Sequence, residues 1–243
     1  MKSFSQFILE EKHYSFVNEL AIDIISKLSS YNKSNSYSLV NEYEYQSPFY
    51  FDLRIYCRWD DSPNLDEDSH FNELDWEKHR FFKNGYCINA NTKFNKEEYF
   101  IPEIDLYLII NPSIKNINSV LFPRLSGILA HELRHLRQIG LNKEPFMGKV
   151  SSSSDRKKSL QNYKYFLLPE EIDSMVEDKY LQSKMENKPI DNIIHDYLDV
   201  FVKDGFMTNS EYSIVFNKWI KKTIELFPDA IFSDNVENIL NKI

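Results

Sequence analysis

Pro123 and Gly140 bracket a run in which Leu125, Ile128, Leu129, Leu133, Leu136 and Ile139 recur at three- and four-residue intervals, and this spacing predicts a helix. Proline near the start and glycine at the end suit the two termini of such a helix. Its apolar positions cover most of the circumference, so the rest of the chain has to enclose it. In its middle, however, Ala130-His131-Glu132-Leu133-Arg134-His135 carries two imidazoles and a carboxylate. Polar groups taken out of water need partners, and hydrogen-bonding carboxylates or a metal ion could each serve. Any fold for this chain has to deliver one of them to that helix.

An α-helix turns about 100° and rises about 1.5 Å per residue, which leaves His131 and His135 about 40° apart on one face and roughly 6 Å apart along the axis. Two imidazoles so placed can share one ion. Zinc accepts imidazole nitrogen, and its catalytic sites take three protein ligands and leave a fourth position to water. Glu132, beside the first histidine, falls where its carboxylate can take a proton from that water as it attacks a carbonyl. His131 and His135 are therefore candidate metal ligands, and Glu132 is the candidate catalytic base. The competing reading makes both histidines core residues bonded to nearby carboxylates, with Glu132 and Arg134 as surface charges.

This helix resembles the motif helix of the zincin metallopeptidases, which divide by their third ligand. The metzincin extension has glycine three residues and histidine six residues beyond the second histidine; Gln138 and Leu141 stand there instead. Pro169-Glu170-Glu171-Ile172-Asp173-Ser174 is similar to the Glu-x-x-Ser/Ala segment of gluzincins such as thermolysin, in which the glutamate binds zinc and the small residue lets two helices approach. The resemblance makes Glu171 the third ligand, with Glu170 and Glu177 as alternates. Pro169 also suits a first helical turn, where acidic residues are favoured by the helix dipole without touching a metal. Asp173 and Asp178 are candidates for orienting a ligand imidazole through its other nitrogen.

A wider resemblance covers residues 104–232. A strand ending in Asn111-Pro112, the His-Glu helix, the segment from Pro169 to Ser174, and Lys188-Pro189-Ile190 leading into a long helix look like uncharacterised metallopeptidases encoded by tailed bacteriophages. The opening residues 1–11 resemble N-termini of large-phage proteins, virion proteins among them. The resemblance implies a zinc-dependent peptidase acting on a peptide or protein substrate, in the cytoplasm of an infected host cell or in association with the phage virion. In the zincin fold the strand before the motif helix forms a sheet edge to which substrate adds as an extra strand. Residues 104–110 occupy that place, and the flanking Pro102 and Pro112 leave both an edge and an interior position open. His195, Tyr163, Tyr165 and Tyr180 are candidates for stabilising an oxyanion, as a histidine or tyrosine does in many zincins. The alternative function is a virion or interaction protein that keeps the fold without proteolytic activity; a structural zinc closed by four protein ligands would mark it. A toxin cleaving one host protein would share the chemistry.

At 243 residues the chain is long enough to bury a core without disulfides, and one domain, residues 1–243, is the expectation. Residues 1–40 read as an N-terminal helical segment, closed by the Ser- and Asn-rich stretch at 29–38. Residues 43–112 read as a sheet region, 113–148 as the motif helix region, and 160–243 as a helical C-terminal half after a Ser- and Lys-rich linker at 149–159. Within the sheet region, Phe51-Asp52-Leu53-Arg54-Ile55-Tyr56-Cys57-Arg58-Trp59 alternates as a half-buried strand does, and residues 85–90 and 104–110 read as two further strands. The fold class is α+β, zincin-like, with a small mixed sheet.

A net charge of −8 argues against nucleic acid as a partner, since a grip on phosphates needs basic patches. No run of about 18 apolar residues offers a membrane span, and the N-terminus lacks the apolar stretch of a secretory signal. Cys57 and Cys87 are expected to be free buried thiols. Asp60, Asp61, Asp66, Glu67 and Asp68 lack the spacing and central glycine of a calcium loop and read as solvated. His13, His70 and His79 read as surface residues.

Overall fold

The computed structural model describes residues 4–30, 37–44, 50–61, 84–93, 101–140, 162–234 and 236. They form an α+β structure: helix α1 (Phe4–Ser30), a four-stranded sheet, and then helices. The chain divides into two compact units, Met1–Glu132 and Leu133–Ile243. The division falls inside helix α2 (Ile117–Gly140), which runs unbroken through it. The linker at 149–159, His70, His79 and the acidic loop beyond Asp61 lie outside the described residues.

In the first unit, strands β1 (Tyr37–Glu44), β2 (Tyr50–Trp59), β3 (Tyr86–Lys93) and β4 (Glu103–Ile110) pair in the order β1-β2-β4-β3. The outer pairs are antiparallel and the β2–β4 pair is parallel, so the sheet is mixed. β2 obeys the alternation of its sequence: Phe51, Leu53, Ile55, Cys57 and Trp59 are buried and the residues between them half-buried. β4 is buried at all positions and lies between β2 and β3. It is therefore an interior strand whose backbone groups are engaged on both sides, which removes it as the edge that a substrate could extend. Apolar side chains on both its faces, Ile104 and Leu106 on one and Ile109 on the other, are what an interior position requires.

β1 begins inside the Ser-rich stretch expected to close the helical segment. Among the described strands it lies at an edge, with Ser38, Val40, Glu42 and Glu44 exposed, so burial imposes no apolar alternation on it. Cys57 aligns with Leu108 and Cys87 with Ile109, which puts the two buried cysteines on opposite faces of the sheet.

Helix α1 is a single helix that buries Val17, Leu20, Ala21, Ile24, Ile25 and Leu28. His13, expected at the surface, is fully buried, because it precedes Val17 by four residues and Leu20 by seven and so shares their face. The Tyr43 hydroxyl donates to Asp23 Oδ2 at 2.6 Å, and Phe16 meets Phe51 edge-on. Helix α2 starts six residues before Pro123. The Asn116 side chain accepts from the Ser119 amide at 3.3 Å and its carbonyl from Val120. Pro123 thus sits inside the helix, where it costs one backbone hydrogen bond. Every residue from 124 to 133 is buried.

The second unit contains a 3₁₀ turn (Tyr163–Leu167) and helices α3 (Pro169–Glu186), α4 (Ile190–Lys203) and α5 (Asn209–Leu226). Pro169 occupies the first turn of α3, and Asn187 in the left-handed conformation ends it. Phe166 anchors the 3₁₀ turn: its ring meets those of Tyr197, Phe201 and Trp219, and its carbonyl accepts from Trp219 Nε1 at 2.9 Å. Thr208 and Glu211 form a reciprocal capping box at the start of α5. Among the described residues no helix is long and apolar enough to cross a membrane.

Candidate metal centre

His131 and His135 stand one turn apart on α2, and Glu171 lies in the first turn of α3. All three are buried, Glu171 completely. One ligand atom from each lies within 4.8 Å of the others, and among the described residues this is the group of acidic, histidine and cysteine side chains able to hold a metal ion. His131 reaches the group through the continuity of α2 itself. The remaining contacts that fix α2 against α3 lie within the second unit. His135 Nε2 is 3.6 Å from Glu171 Oε2, close to the roughly 3.4 Å edge of a tetrahedron whose ligands stand about 2.1 Å from a central ion. Two imidazole nitrogens and a carboxylate oxygen at that spacing suit a divalent metal of borderline softness.

The partners of these side chains aim them. His135 Nδ1 lies 3.0 Å from Gln138 Oε1, and Gln138 Nε2 donates to the Glu170 carbonyl at 3.1 Å. Ser174 Oγ donates to the same carbonyl and sits 3.4 Å from His135 Nδ1, so the small residue stands where α2 and α3 come together. The Tyr165 hydroxyl, on the 3₁₀ turn, donates to Glu171 Oε2 at 2.7 Å. In the first unit, Thr92 of β3 donates its hydroxyl to Glu132 Oε2 at 2.5 Å. The other oxygen of Glu132, Oε1, is 3.9 Å from His131 Nε2.

Other residues singled out by the sequence have further contacts. Asp173 faces Arg134 and Lys222, at 3.6 and 3.3 Å, and Asp178 holds Lys179 at 2.6 Å; the acceptor 3.0 Å from His135 Nδ1 is Gln138 Oε1. Glu177 lies 3.4 Å from Arg134 and 3.7 Å from Arg137, which joins α2 to α3 by charge. The Glu170 carbonyl receives Gln138 and Ser174. Tyr180 donates to Asp229, and His195 meets the Tyr212 hydroxyl at 2.6 Å, so of the candidate oxyanion residues Tyr165 is the one bonded to the group. Thr92 carried no signal in the sequence, being 40 residues from its partner. Gln138 did, since it follows His135 by three residues on the same helix.

Compared with protein-family models, curated proteins and solved structures, the chain matches none.

Proposed function

We propose that the chain is a zinc-dependent peptidase with a zincin-like fold, in which His131, His135 and Glu171 are the metal ligands and Glu132 is the general base. The convergence of those three buried donors, with Glu132 next to the first, carries the reading. Two histidines and a glutamate form a ligand set used by zinc peptidases, and three protein donors are the number that leaves a position open for catalysis. When bound, zinc supplies Lewis-acid polarisation of a carbonyl and acidifies water. Glu132 then takes a proton from the attacking water on Oε1 and passes it to the leaving amine nitrogen. Tyr165 and Gln138 orient Glu171 and His135 through the hydrogen bonds already given. With β4 interior, β3 becomes the strand that a substrate peptide would extend, because no described strand pairs with its outer side.

The test is metal analysis of the purified protein together with hydrolysis of a quenched-fluorescence library of random octapeptides. The expected result is about one zinc per chain, as a single three-ligand site requires, with hydrolysis abolished by chelation and restored by zinc. Protein that binds no zinc and cleaves nothing in the library would refute the proposal.

A further inference from the structure

We propose that Thr92 is a positioning residue for the catalytic base, an inference that rests on the peptidase reading above. The two oxygens of Glu132 have different surroundings. Oε2 accepts from the Thr92 hydroxyl at 2.5 Å, while Oε1 is turned to His131 Nε2 at 3.9 Å. The same hydroxyl stands 3.4 Å from the Glu132 carbonyl, so it is lodged against the helix backbone as well as the carboxylate.

Thr92 lies in β3 opposite Ile104 of β4, on the face that also carries Ala90, Ile88 and Leu106. Those neighbours are apolar and buried, and Thr92 is the polar member of their column. A β-branched residue in a strand has a stiff χ1, which holds the hydroxyl in one direction. Glu132 is 5% exposed, and a carboxylate removed from water in this way is costly without a donor and free to exchange its oxygens by rotation. Thr92 removes that freedom. One oxygen is held by a charge-assisted hydrogen bond, and the other keeps its lone pairs for a proton.

A purely structural threonine would affect stability or metal content. A positioning residue changes the carboxylate and turnover while leaving both in place. The experiment compares Thr92→Val, which keeps the shape and removes the hydroxyl, with Thr92→Ser, which keeps the hydroxyl.

In metal-free protein carrying carboxyl-¹³C glutamate at one fixed pH, the Glu132 resonance is assigned by its disappearance in Glu132→Gln. It is expected to move in Thr92→Val and to stay in place in Thr92→Ser. With zinc bound, on an octapeptide that the wild type cleaves, kcat of Thr92→Val is expected to fall about tenfold or more, with KM and zinc content unchanged and with recovery in Thr92→Ser. Should the valine variant not fold, Thr92→Ala carries the same expectations.

An unmoved resonance or wild-type kcat in Thr92→Val would overturn the proposal. Wild-type protein that cleaves nothing would overturn the peptidase reading, and the resonance would then still decide whether Thr92 holds the carboxylate.

Discussion

Gln138 bridges two helices through one amide: its oxygen lies 3.0 Å from Nδ1 of His135, and its nitrogen donates to the carbonyl of Glu170, the residue before Glu171. With the amide nitrogen committed to the carbonyl, the oxygen can only accept. The proton therefore sits on His135 Nδ1, and Nε2 is left as a lone-pair donor beside Glu171. Gln138→Leu is expected to weaken zinc binding about 10- to 100-fold, measured by competition with a chromogenic chelator. Gln138→Glu, which keeps an acceptor, should lose much less. Equal affinity in the leucine variant would mean that the imidazole is oriented by something else.

Glu132 separates binding from turnover. It adjoins His131 but is not one of the three proposed donors, and Glu132→Gln preserves shape while removing the proposed base. Zinc content should remain at the wild-type level while kcat falls on the order of 10²-fold or more. Hydrolysis at the wild-type rate by the purified glutamine variant would rule out the proposed mechanism.

Two adjacent glutamates give the sharpest test of the ligand set. Neighbouring positions on a helix point about 100° apart, and here Glu171 joins the histidines while the Glu170 carbonyl receives Gln138 and Ser174. Glu171→Ala is expected to lose zinc on dialysis, and Glu170→Ala to retain it, since a backbone carbonyl survives the substitution. Elemental analysis of the two variants decides the point. The reverse result would reassign the third ligand to Glu170.

How far these features could be read from the sequence follows from the range over which each is determined. The β2 alternation, the helical spacing around His131 and His135, and the proline at the start of α3 are local patterns, and each appears in the structure close to where its residues predict it. A proline usually opens a helix, which places the start of α2 at Pro123 by sequence, whereas Asn116 caps this one seven residues earlier. β1 escaped because an exposed edge strand needs no apolar alternation. The interior place of β4 depends on which strands flank it, and no property of residues 104–110 alone distinguishes that from a hydrophobic edge. Thr92 and Tyr165 act through single hydrogen bonds from other elements, so their roles become visible only after the chain has folded.

The last prediction concerns stability and pH. Asp23 on α1 accepts from the Tyr43 hydroxyl at 2.6 Å and from Lys27 Nζ at 2.7 Å. Burial is the largest single influence on its carboxyl and pushes the pKa up, but the bonds from Lys27 and Tyr43 together outweigh it and hold the value below 3.8. For Lys27 burial likewise works against the charge, and the bonds to Asp23 and Tyr43 prevail, raising its pKa above 10.5. A carboxyl with a depressed folded pKa adds stability that is fully present above its unfolded pKa and is lost as the pH falls through the folded one. The lysine's contribution is the mirror case, present below 10.5 and lost only at higher pH. At neutral pH both are in force. Because the Lys27 and Asp23 side chains remain 32% and 41% exposed, solvent screening limits the pair to no more than about 1 kcal/mol. Asp23→Asn should therefore reduce the urea-unfolding free energy by up to about 1 kcal/mol at pH 7. The gap between variant and wild type should close as the pH drops from about 4 towards 2, where the wild-type carboxyl is protonated as well. A gap of the same size at both ends of that range would show that the aspartate acts through shape or hydrogen bonding and not through its charge.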